Sequence, residues 1–171
     1  MKKGRYVLYA GFMLLTVLCC TRCWWYSFSA TTIDPAAETI SVGYIENRAE
    51  RINPSLSNLM TEGLKDKYTK LTRLSVISEE GDYAVEGEIT GYSIAPIAVT
   101  ADEVASKNRL TVTVKIRFEN TLNPKENFEK NFSGFEDYDS TISFDAAEAV
   151  LVDTILEKIV EEIFNATLAN W

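Results

Sequence analysis

The chain has no histidine. That removes the usual general base near neutral pH and the commonest neutral metal ligand. Cysteine is confined to Cys19, Cys20 and Cys23, so everything beyond Cys23 can form neither an internal disulfide nor a thiolate metal site. Together these absences exclude Ser-His-Asp and Cys-His catalysis. No glycine-rich phosphate loop of either standard spacing occurs. Positive charge is scarce: 17 Lys and Arg stand against 25 Asp and Glu, a net charge of −8. Loss of a leader carrying Lys2, Lys3, Arg5 and Arg22 would leave 13 basic residues and a charge of −12. Nonspecific nucleic-acid binding needs a basic surface to displace counterions, so nucleic acid is excluded as a partner. The balance suits a soluble body held away from anionic lipid.

Tyr6 to Leu18 is an uncharged apolar run, shorter than the ~20 residues a membrane span needs. With the basic Met1-Lys2-Lys3-Gly4-Arg5 ahead of it, it has the layout of a secretory signal peptide. A short run ending in cysteine reads as a lipoprotein signal over residues 1–23, in which one cysteine is acylated by palmitate-like chains and becomes the new N-terminus. Each buried methylene then adds roughly 0.8 kcal/mol to the anchor. Cys23 and Cys20 are the candidates. Neither has the preferred Leu and small residues before it: Cys20 follows Val17-Leu18-Cys19, and Cys23 follows Cys20-Thr21-Arg22. The competing reading is an uncleaved signal anchor.

Residues 24–38 show no sustained period and read as a tether, leaving 39–171 as the domain. Ile40, Val42 and Tyr44 alternate as a short strand. Asn53-Pro54 predicts a helix start, and Leu56, Leu59, Met60, Leu64 and Leu71 predict an amphipathic helix over about 54–70. Leu74, Val76 and Ile77 suggest a second short strand. From Tyr83 the period is two, with Val85, Gly87, Ile89 and Gly91 on one face and Glu86, Glu88 and Thr90 on the other. Leu110, Val112, Val114, Ile116 and Phe118 form the cleanest strand, with Thr111, Thr113, Lys115, Arg117 and Glu119 opposite. An antiparallel register pairing Ile89 with Val114 and Val85 with Phe118 also sets Glu88 against Lys115 and Glu86 against Arg117. It sets Gly87 and Gly91 opposite Ile116 and Val112, where they make room for a helix or mark a bulge. Phe128, Phe132 and Phe135 suggest one more short extended piece. Asp145 with Glu148 resembles a capping box opening a helix over about 145–168, with an apolar stripe from Val152 to Leu168.

The predicted fold is therefore α+β: a two-layer sandwich, order β-α-β-β-β-α, with two helices on one face of a mainly antiparallel four-stranded sheet. The other face stays polar. Glu86 with Glu88, and Asp137 with Asp139, are paired carboxylates better read as solvated or ion-paired acids than as an acid–base couple. Asp137-Tyr138-Asp139-Ser140 lacks the full calcium-loop pattern and reads as a turn before the helix. The basic cluster Lys107, Arg109, Lys115 and Arg117 is the candidate anion site. Lys115 and Arg117 have cross-strand acids available; Lys107 and Arg109 have no evident partner. No catalytic, metal or cofactor residues emerge.

Several segments, in order, resemble the LptE family of lipopolysaccharide-assembly lipoproteins of the Bacteroidetes type. They are Cys23-Trp24-Trp25-Tyr26-Ser27-Phe28-Ser29, Asn53-Pro54-Ser55-Leu56-Ser57, Thr61-Glu62, Leu64-Lys65-Asp66-Lys67, Glu86-Gly87-Glu88-Ile89-Thr90-Gly91-Tyr92, Asn108-Arg109-Leu110-Thr111-Val112-Thr113-Val114, and Glu162-Ile163-Phe164-Asn165 through Ala169-Asn170-Trp171. The resemblance implies a noncatalytic outer-membrane lipoprotein, lipid-anchored, on the periplasmic side or inside a barrel lumen. It would plug and help assemble the LptD β-barrel and assist lipopolysaccharide insertion into the outer leaflet, with lipopolysaccharide as a further contact. Cys23 takes the place of the lipidated cysteine, although Arg22 departs from the usual small residue before it. The alternative is a free-standing envelope lipoprotein that binds a small lipid or serves as a transporter's auxiliary subunit.

The anchor reading makes a prediction. Intact-mass analysis of the mature protein is expected to give a chain beginning at Cys23 or Cys20 plus acyl groups. The mass of an unmodified, uncleaved chain would defeat it.

Overall fold

The computed structural model describes residues 33–51, 53–97 and 107–168. The signal peptide, both candidate lipidation cysteines, residues 24–32 of the tether, and Trp24, Trp25, Tyr26 and Phe28 lie outside these. So do residues 98–106 and 169–171. The elements are β1 (Thr39–Val42), β2 (Glu46–Asn47), α1 (Leu56–Leu71), β3 (Ser75–Ile77), β4 (Tyr83–Ile97), β5 (Lys107–Asn120), a 3-10 turn (Pro124–Glu126), β6 (Phe128–Asp139) and α2 (Phe144–Leu168). The sheet has six strands and is mixed, which corrects the expected four-stranded, mainly antiparallel sheet. Its order is β3-β1-β4-β5-β6, with β2 pairing alongside β4. β1 runs parallel to both β3 and β4, and β2 runs parallel to β4; β4, β5 and β6 are antiparallel.

The β4–β5 pair forms in the expected register: Val85 faces Phe118, Glu86 faces Arg117, Gly87 faces Ile116, Glu88 faces Lys115 and Ile89 faces Val114. The register then shifts between Ile89 and Gly91, so Gly91 faces Thr113 and Tyr92, not Gly91, faces Val112. This bulge adds one residue to β4 and turns the buried Tyr92 onto the helix side. β1 likewise ends at Val42, two residues short of Tyr44. Gly43 N–H donates to the Val85 carbonyl at 2.9 Å, Tyr44 is exposed, and Ile45 is buried in its place. β6 is a 12-residue strand rather than a short piece. Phe128 and Phe132 pack toward the helices, whereas Phe135 points out.

Both helices cover the same sheet face. Buried Ile40, Val85, Ile89, Leu110, Val112, Val114 and Ile116 meet Leu56, Met60 and Leu64 of α1 and Ile155, Ile159 and Ile163 of α2. Each fully buried aliphatic side chain contributes ~1.5–3 kcal/mol, so this layer outweighs the surface interactions. The helices run parallel: Asn53 bonds Glu148, Gly63 abuts Val160, and Tyr68 packs on Phe164 with ring centroids 5.7 Å apart.

The start of α1 differs from expectation. The helix begins at Leu56, and the Asn53 side chain accepts from Ser55 N–H at 2.9 Å, closing a turn that precedes it. Leu59 and Leu71 of the expected stripe are exposed, while Ser57, Thr61 and Tyr68 are buried. Burial of these polar groups is offset by hydrogen bonds. Thr61 Oγ1 accepts from Ile45 N–H and donates to the Ser57 carbonyl, and the Tyr68 hydroxyl pairs with Thr167 Oγ1 at 2.9 Å. Burial pushes the Tyr68 phenol far up, the Thr167 contact only partly opposing it. The capping box at α2 does not form: Glu148 Oε1 instead accepts from Asn53 Nδ2 and the Tyr92 hydroxyl, tying α2, the start of α1 and the β4 bulge together. Ile33 to Glu38 lie against the domain, with Asp34 N–H donating to Tyr83 Oη and buried Ala37 in the core.

Gly87 sets the closest tolerance in the sheet. A Cβ there would lie 2.3 Å from the Lys115 carbonyl oxygen and 2.7 Å from Ile116 Cδ1. Gly87→Ala is therefore expected to lower stability by about 1–3 kcal/mol in urea denaturation, as overpacking does. Gly43→Ala, whose Cβ meets only ordinary contacts from 3.4 Å, is expected to stay within about 0.5 kcal/mol of the parent.

Candidate functional site

The face of β4, β5 and β6 that turns away from the helices has no covering element among the described residues. Period-two alternation brings Glu86 and Glu88 of β4, Arg109, Thr111, Thr113, Lys115 and Arg117 of β5, and Glu129, Ser133, Phe135 and Asp137 of β6 to this side. An open groove of about 470 Å³ runs across one end. It is lined by Tyr44, Glu46 and Arg48 from the β1–β2 segment, Glu86 to Glu88, and Lys115, Arg117 and Glu129.

All four basic residues singled out in the sequence lie on β5. Lys115 Nζ is 2.6 Å from Glu129 Oε1, and Arg117 pairs with Glu119 on its own strand. The cross-strand partner expected for Lys115, Glu88, is instead 3.3 Å from Arg48. Arg109 has a partner that the sequence did not disclose. It makes a two-pronged contact to Asp137, at 2.7 and 3.0 Å, and its guanidinium carbon lies 3.9 Å from the Phe135 ring centroid. Lys107 stands opposite Asp139 in register but has no ion pair among the described residues.

Asp137 and Asp139 do not converge as a calcium loop would. Asp137 is committed to Arg109, while Asp139 Oδ1 accepts from the Thr141 N–H and hydroxyl at 2.8 and 2.6 Å, forming the turn into α2. Hydrogen bonding to Lys115 holds the Glu129 carboxyl below the usual range, and hydrogen bonding to Arg109 does the same for Asp137. Lys115 and Arg117 are raised, in turn, mainly by their hydrogen bonds to Glu129 and Glu119. Within the groove, Glu46, Glu86, Glu88 and Glu129 face Arg48, Lys115 and Arg117. The result is a face of interleaved charge, nearly balanced, suited to contact with a surface that also carries both signs.

The chain is thus an acidic α+β domain with one packed sheet face and one open, charged face, and solved structures share its architecture. Protein XCC0632 from Xanthomonas campestris is 11% identical, with a TM-score of 0.51 over 76% of this chain and 85% of that one. A putative neuraminyllactose-binding hemagglutinin homolog from Helicobacter pylori is 10% identical, with a TM-score of 0.50 over 81% of this chain and 87% of that one. A minor lipoprotein from Acinetobacter baumannii is 13% identical, with a TM-score of 0.49 over 74% of this chain and 89% of that one. At these identities the first two likenesses are of fold. No curated protein matches the sequence significantly. The family is settled by sequence: the family model LptE, lipopolysaccharide-assembly, matches residues 37–167. The chain belongs to the LptE family, and membership implies a part in lipopolysaccharide assembly as an envelope lipoprotein.

The ion-paired face has a pH signature. Glu129 and Asp137 have folded-state pKa values below their unfolded ones. Their contribution is therefore complete above the unfolded values of ~4 and is lost as pH falls through the depressed values. Urea midpoints are expected to fall as pH drops below about 4, and Arg109→Ala is expected to flatten part of that fall.

Proposed function

We propose that this chain is a noncatalytic, lipid-anchored subunit of the outer membrane that sits in the lumen of an LptD-type β-barrel. There it helps the barrel assemble and assists lipopolysaccharide insertion into the outer leaflet. The observation that carries this reading is the open face of β4, β5 and β6, with both signs of charge held in ion pairs. The interior wall of a large barrel is polar, and a face of mixed charge can meet it through direct and water-bridged hydrogen bonds without an apolar patch. Membership of a lipopolysaccharide-assembly family supports the same role. Cys23 or Cys20 supplies the anchor. Lys107, which makes no salt bridge among the described residues although Asp137 and Asp139 feel its charge, is the candidate cation on this face for a lipopolysaccharide phosphate.

The lipid-carrier alternative needs an apolar pocket between helices and sheet. Ile89, Val114, Ile116, Ile155 and Ile159, all with no exposed surface, fill that layer instead.

Purification of the full-length chain from native membranes is expected to recover a very large outer-membrane barrel, and depletion to reduce surface lipopolysaccharide. A photoreactive residue replacing Arg117 is expected to cross-link to the barrel. Recovery of the chain without any barrel would overturn the proposal.

A further inference from the structure

β6 closes the sheet on one side, so one edge of a 12-residue strand has no strand partner among the described residues. An unpaired edge presents a row of backbone donors and acceptors. Alongside its middle, from Ser133 to Asp137, opens a groove of about 250 Å³ whose far wall is Lys158 and Glu162 of α2. Gly134 lines this groove and sits close under α2. A Cβ there would lie 3.0 Å from Ile155 Cγ2 and 3.1 Å from Ile159 Cγ1, so its absence lets α2 settle against the strand. A free strand edge beside a helix is the geometry in which an extended peptide adds as the next strand. Its backbone bonds the edge, and alternate side chains drop between strand and helix.

Charge selects the occupant. Glu136 is paired with Lys158 and Asp137 with Arg109, whereas the exposed Glu162 has no ion pair among the described residues. Phe135, on the strand stretch that borders the groove, turns its side chain to the opposite sheet face, where Arg109 lies over the ring. We propose that the β6 edge and this groove bind an extended partner segment by strand addition, with a basic side chain of the segment directed at Glu162. A closed barrel wall has no free strand edge to offer, so the segment belongs to an unpaired stretch of a partner. The inference does not rest on the barrel-plug reading.

The probe is a nine-residue peptide of alternating threonine and lysine, added to the full chain while amide hydrogen exchange is followed. Exchange at β6 amides is expected to slow, and alternate backbone N-methylation of the peptide, which keeps its charge, is expected to weaken binding about tenfold or more. Glu162→Lys is expected to weaken binding about tenfold, whereas Glu79→Lys, the same charge change on a distant exposed turn, is expected to leave it nearly unchanged. Equal losses in the two variants, equal binding of the N-methylated peptide, or protection away from β6 would overturn the proposal. So would β6 edge amides already protected in the full chain without peptide and exposed once residues 1–32 are removed, which would assign the edge to the chain's own N-terminal segment.

Discussion

Everything in this domain depends on the pairing of β4 with β5. Val85 against Phe118 and Ile89 against Val114 put the apolar side of both strands under the helices. The same alignment puts Glu86, Glu88, Lys115 and Arg117 on the opposite side. Because side chains alternate with a period of two, a slip of one residue would bury the charges and expose the isoleucines. Core burial and surface charge thus select a single alignment together, and Gly87 permits it, since a Cβ there would clash with the Lys115 carbonyl and Ile116.

That alignment gives the two faces different work. The helix side is closed, and its buried polar groups, such as Thr61, Tyr68 and Thr167, are spent on internal bonds. The other side has acids and bases in nearly equal number, mostly held by one another, so it presents fixed charges without a strong net field. This combination suits a contact domain. It is close-packed on the helix side and polar and ion-paired on the open side.

Much of this was legible in the sequence because β5 and α2 have unbroken periods. Leu110 to Phe118 alternate without exception, and the stripe from Val152 to Leu168 is buried as the spacing implies. The rest was hidden for definite reasons. β2 is two residues long and has no period to detect. β6 carries Lys130 and Glu136 on the side that faces the helices, where Glu136 reaches Lys158 at the rim, so its alternation is broken by charge. Missing the length of β6 also hid the partner of Arg109, since Asp137 lies on that strand. The bulge after Ile89 displaced Gly91 by one step, and polar residues in the buried stripe of α1 masked its true face. The node joining Asn53, Tyr92 and Glu148 had no sequence signal, because its three members come from distant segments.

The parallel run of α1 and α2 has a consequence of its own. Two antiparallel helices would cancel their peptide dipoles, but these two add, giving the domain a polar axis. Partial positive charge gathers at the end near Asn53 and Phe144, and partial negative charge at the end near Leu71 and Leu168. The two ends of the domain are therefore electrically distinct, the first favouring a nearby anion and the second a nearby cation, within about one helical turn of each terminus.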